Sequence, residues 1–183
     1  RTMNKRPYMT VAMLLLCAGT ADAHPHDYVD QQALISVGVN SIDLTILIAP
    51  SFADGAAIFA HIDTNGNGIV SEDEALVFGA AVVSQAELQV DGRTTALRTA
   101  NVIVPDRAST SAGTGMITIE AIAAYSLPER GHHRLHFDIS YGVFSHDWFV
   151  QPFFYRDFVQ ATASRMVERS VAENRAGIAF SRH

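Results

Sequence analysis

A mainly β chain of the α+β class, with a helix-loop-helix set among its strands, is predicted by three observations. Apolar and polar residues alternate over short runs, most clearly through Ile42, Leu44, Ile46 and Ile48 and again through Leu135, Phe137, Ile139 and Tyr141. That period-2 pattern belongs to strands with one buried face. Turn signals punctuate the runs, above all Asp91-Gly92, a pair suited to a two-residue type I′ hairpin. One stretch, Glu72 to Gln85, breaks the alternation: it is rich in alanine, lacks proline and places Leu76, Phe78, Ala80, Val82 and Val83 where one helical face can be buried.

The first residues are set aside before the fold is considered. Lys5 and Arg6 precede the apolar run Val11 to Cys17, and Ala21-Asp22-Ala23 follows as an Ala-x-Ala cleavage site, so residues 1–23 read as a signal peptide cleaved after Ala23 and the mature protein as periplasmic or secreted. The run is too short for a permanent span. A lipid anchor on Cys17 competes, but Leu16 stands where lipoprotein signals carry a small residue. Cleavage would remove the one cysteine, leaving a domain without disulfides in an oxidising compartment. It would also remove Arg1, Lys5 and Arg6 against only Asp22, making a chain of net charge −6 about two charges more acidic. An acidic chain with no remaining lysine is a poor partner for nucleic acid or anionic membranes, and cations are the better expectation.

Of 183 residues, 48% are hydrophobic and 17% charged, enough apolar material for one buried core. Ala33 to Val39 and Ile42 to Ile48 form a hairpin about Asn40-Ser41. Pro50 ends the second strand, and a short helix over Ala56 to Ile62 leads into a loop. After the helix beginning at Glu72 come Leu88 and Val90, the Asp91-Gly92 turn and the return through Thr95 to Leu97. Asn101 to Val104 stops at Pro105, a Ser/Thr/Gly-rich loop spans Arg107 to Gly115, and Met116 to Tyr125 is a strand. Phe144, Trp148, Val150, Phe153, Phe154 and Phe158 supply aromatic core. These strands suggest an immunoglobulin-like β-sandwich over residues 24–156, with the helix-loop-helix inserted at about 52–85 between its second and third strands. Beyond it, residues 157–183 read as a C-terminal amphipathic helix and tail, because Val159, Met166, Val167 and Val171 recur near helical spacing.

The inserted loop carries the most specific chemistry. Asp63-Thr64-Asn65-Gly66-Asn67-Gly68-Ile69-Val70-Ser71-Glu72-Asp73-Glu74 follows the pattern D-x-[DN]-x-[DN]-G-x₅-E without departure, the calcium loop of an EF-hand. Calcium takes six to eight oxygen ligands. Asp63, Asn65 and Asn67 offer side-chain oxygens on alternate residues, Gly68 permits the sharp turn, Ile69 offers its carbonyl, Ser71 acts directly or through water, and Glu74 closes the sphere with two oxygens. Two charged ligands and no second loop to pair with Val70 put the expected affinity at the weak end, on the order of 10⁻⁴ M.

Histidines give a second, transition-metal reading. His24 would present a free α-amine and imidazole, with His26 two residues on; Pro25 has no amide hydrogen and blocks the binding mode that needs one. His132, His136 and Asp138 share one face of a strand, the opposite face from His133. No cysteine nucleophile, Gly-x-Ser-x-Gly elbow, His-Glu-x-x-His or phosphate loop occurs, and Ser140, His146 and Asp147 form a triad only on paper, so no enzyme activity is expected.

The order His24-Pro25-His26, hairpin, the Asp63 to Glu74 loop with its helix, and the Val90-Asp91-Gly92 hairpin resembles an extracytoplasmic EF-hand domain that accompanies nickel/cobalt efflux permeases in bacteria. The resemblance implies an accessory or sensing module for metal transport, beside a polytopic membrane protein as partner, with calcium holding its shape. The alternative reading is a periplasmic nickel, cobalt or copper carrier or sensor using the N-terminal and strand histidines.

Overall fold

The computed structural model describes residues 28–169 and 174–182; residues 1–23, expected to be a signal peptide, lie outside them. Ten strands and four helices follow in the order β1 Asp30–Val37, β2 Ser41–Ala49, α1 Gly55–Ile62, α2 Glu72–Val83, β3 Ala86–Val90, β4 Arg93–Thr94, β5 Arg98–Ile103, α3 Arg107–Ser111, β6 Ile117–Ala124, β7 Gly131–Ile139, β8 Phe149–Phe154, α4 Arg156–Ala161, β9 Thr162–Arg169 and β10 Arg175–Arg182. They build two five-stranded sheets, ordered β5-β6-β2-β1-β8 and β4-β3-β7-β10-β9. Among the described residues, only β1 and β8 pair in parallel. The chain is thus mainly β with four short helices, and no helix among the described residues is long and apolar enough to cross a membrane.

The alternation in the sequence places the core. In β2 the residues Ile42, Leu44, Ile46 and Ile48 are buried, and in β7 Leu135, Phe137 and Ile139 are buried. Both sheets turn these faces into one hydrophobic cluster, which also takes Ile58 and Ile62 of α1 and Phe78 and Val82 of α2. The inserted helices are therefore rooted in the same core as the strands. At the β3–β4 turn Val90 pairs with Arg93, and Asp91 and Gly92 have φ of 50° and 75°. Positive φ at both positions is the requirement of a type I′ turn.

Two expectations need correction. The amphipathic helix from Asp157 forms only as α4; the rest of the described tail is the antiparallel pair β9–β10. Helical spacing of the apolar residues concealed a stronger alternation, since Ala176, Ile178 and Phe180 are the buried positions of β10. β10 then covers the edge of β7 that would otherwise leave its ladder groups unpaired. The tail thus belongs to the second sheet, and residue 157 marks no structural boundary. α4 keeps one deep anchor: Phe158, fully buried, stacks on Phe154 at 5.5 Å and meets Phe180 edge-on at 5.0 Å. The second correction is α3, formed inside the expected Ser/Thr/Gly loop, because Asp106 accepts a hydrogen bond from Ser109 N–H at 2.8 Å and caps it. Of the expected aromatic core, Trp148 is buried and donates to the Tyr141 carbonyl at 2.7 Å, whereas Phe153 lies exposed on β8.

α1 and α3 approach closely enough that a Cβ on Gly55 would overlap the Thr110 carbonyl oxygen. A helix-initial alanine would otherwise gain up to about 1 kcal/mol over glycine, but backbone cannot yield as a side chain can. Gly55→Ala is expected to lower stability by about 2 kcal/mol, in the range of overpacking, read as a lower urea midpoint with an unchanged slope. A neutral or stabilised variant would show that the α1–α3 contact is loose.

Candidate metal centre

The loop between α1 and α2 is prepared from both ends. Ser51, fully buried, donates to Asp54 Oδ2 at 2.6 Å and accepts from Asp54 N–H, setting the start of α1. Ile58, Phe59 and Ile62 bury one side of α1, so Asp63, the next residue, begins the loop at a fixed point. On the far side Ser71 and Glu74 form a reciprocal capping box on α2, and Glu72, Asp73 and Glu74 put negative charge at its N-terminus, where the helix dipole favours it.

Between these ends the loop winds on its own side chains. Asp63 Oδ2 accepts Gly68 N–H at 2.8 Å and Oδ1 accepts Asn67 N–H at 3.2 Å. Asn65 Oδ1 accepts the same Asn67 N–H at 3.0 Å, and Asn67 Oδ1 accepts Ile69 N–H at 2.8 Å. Short Asx side chains make such turns readily. Gly66 and Gly68 sit at φ of 70° and 84°, the left-handed region where a Cβ is costly. Val70 packs against the core, and the Ile69 side chain points out to solvent, 71% exposed.

Glu74 joins the two ends. Its Oε1 accepts from the Thr64 hydroxyl at 2.9 Å, Asn65 N–H at 3.1 Å and the Asn65 side-chain amide at 2.9 Å. Its Oε2 accepts from Ser71 N–H and the Ser71 hydroxyl, both at 2.9 Å. The Ser71 backbone donor first, then that of Asn65, pull the Glu74 carboxyl down to about 2, so it is ionised at neutral pH. Asp63 is only 7% exposed, and no ion pair among the described residues involves it or Glu74. A buried carboxylate without a counter-charge is costly, and the donor set is all oxygen. Asp63, Asn65, Asn67, Ser71 and Glu74 are thus carried by one closed loop and fit a hard cation; Ile69 would add its carbonyl. Capture of an ion by both Glu74 oxygens requires the carboxylate to exchange the Asn65 and Thr64 donors for the ion.

The histidines do not gather. Among the described residues no three His, Cys, Asp or Glu side chains form a metal-holding group; the loop itself relies on Asn, Ser and carbonyl oxygens beside its two acids. His24 and His26 lie outside the described residues. His132, His136 and Asp138 face outward from β7, with Asp138 paired to Arg175 at 3.1 Å. His133 has Nδ1 2.8 Å from Asp91 Oδ2 and Nε2 2.6 Å from the Glu129 carbonyl, so neither ring nitrogen is left for a metal. The Ser140 hydroxyl donates to the Gln85 carbonyl.

One residue beside the loop escaped the sequence reading. Arg107, the first residue of α3, brings its Nη1 to 3.7 Å from where a Cβ on Gly68 would stand. Only the unforeseen Asp106 cap could have signalled it. Scanned against protein-family models and compared with curated proteins, the chain matches none.

The depressed Glu74 sets a pH dependence. A carboxyl lowered in the folded state adds stability above its ordinary value of 4.5 and loses it as pH falls toward about 2. Metal-free Glu74→Gln is expected to melt lower than wild type at pH 7, with the gap closing between pH 4.5 and 2. Parallel melting curves across that window would remove the latch.

Proposed function

We propose that this chain is a calcium-binding module of the single EF-hand type, set in an immunoglobulin-like sandwich, in which the ion staples the loop between the inserted helices. What supports the reading is the closed loop: five candidate side-chain ligands on one twelve-residue segment, two of them acids, with Asp63 buried and lacking a counter-ion. The two sheets closing on one core support the sandwich. Both α1 and α2 are already anchored in that core, so calcium tightens the loop and does not open a groove between the helices in the manner of a sensor. Export, and service beside a polytopic metal-efflux protein, extend the proposal through the signal-peptide pattern and the His24-Pro25-His26 resemblance.

Calorimetric titration of the mature protein with calcium, and terbium luminescence at the loop, test the reading. A Kd on the order of 10⁻⁴ M is expected, with a gain of about 1.4 kcal/mol at ten times that concentration and hence a melting rise of a few degrees. Glu74→Gln should weaken binding at least tenfold, since it removes a charge and one of two coordinating oxygens. Neither heat nor a melting shift in the wild type would end the proposal.

A further inference from the structure

The position of Arg107 is set by backbone packing. Asp106 caps α3, and Gly55 lets α3 lie on α1, which carries the guanidinium to the turn at Gly68. Gly68 is the residue whose N–H holds Asp63 Oδ2. The exposed Arg107 side chain has no hydrogen bond or ion pair among the described residues, so its place beside the loop does not come from a pairing elsewhere.

From this juxtaposition we propose that Arg107 is the affinity-setting residue of the loop, a resident positive charge that opposes a divalent ion and holds its binding weak. The inference rests on the calcium reading. A single positive charge beside the loop, acting on a doubly charged ion across a largely aqueous path, would weaken binding roughly three- to tenfold. Being exposed, the effect is screened by salt. Without the ion, no ion pair among the described residues joins Arg107 to Asp63 or Glu74, so the metal-free fold gains nothing from its loss. Removing it should tighten calcium binding while leaving the metal-free protein no more stable, a combination that a merely structural role for Arg107 does not produce.

The test is calcium titration of full-length wild type, Arg107→Gln, Arg107→Lys and Arg93→Gln by calorimetry, at about 20 mM and about 0.5 M monovalent salt. Arg107→Gln should bind three- to tenfold tighter at low salt, and the gain should fall toward unity at high salt. Arg107→Lys keeps the charge and should stay within twofold of wild type. Arg93→Gln removes the same charge from the β3–β4 turn of the other sheet and should change nothing. Equal affinity in wild type and Arg107→Gln, with calcium still bound, overturns this inference and leaves the calcium reading standing. An equal gain in Arg93→Gln overturns it in favour of net charge. No calcium binding by any variant removes both.

Discussion

One carboxylate determines whether the loop has a shape. Glu74 is the third residue of α2 and completes the capping box with Ser71, so one of its oxygens is committed to the helix start. The other reaches back nine and ten residues to Asn65 and Thr64. Without that second set of bonds, the segment from Thr64 to Val70 would be held by local Asx turns alone, and such turns fix neighbouring residues without bringing the ends together. An acid in the first turn of a helix also sits where the dipole stabilises it, so the latch is ionised without help from a cation.

The latch matters because its two supports cannot drift. Ile58 and Ile62 on one side and Phe78 and Val82 on the other lie in the cluster shared by both sheets. Truncating a residue buried to this degree costs about 2–5 kcal/mol, more than a typical neutral hydrogen bond contributes. The strands therefore set the distance between Asp63 and Ser71, and the loop adjusts within it. A second loop, the usual partner of such a segment, is replaced by the protein's own interior: Val70 packs against the core.

How much of this could be read from the chain follows from how local each signal is. The Asp91-Gly92 turn depends on two residues with positive φ and was legible at once, as was the buried face of β2 from Ile42 to Ile48. Within the loop, the turn at Gly68 and the helix start at Glu74 were legible because each answers to a local requirement, backbone conformation for one and capping for the other. The tail was not. Val159, Met166 and Val167 satisfy helical spacing, and only β7's need for a partner decides that Ala176, Ile178 and Phe180 run as a strand. α3 was hidden for a related reason: its Ser and Thr residues favour turns in isolation, and one cap with one glycine contact, at Gly55, tips the balance.

The electrostatics of the loop decide what kind of ion suits it. Asp63 is buried with two backbone donors and no cation paired to it, so its charge is only partly compensated. Burial makes any added positive charge more effective than it would be in water. Imidazole-loving metals gain nothing here, because the candidate ligands are oxygens and the nearby His61 packs edge-on against Phe144 at 5.4 Å. Magnesium demands a near-ideal octahedron, whereas short amide and hydroxyl side chains on a glycine-hinged turn accommodate the larger, irregular sphere of calcium. In the proposed site two acids would face the ion, with Arg107 beside the loop.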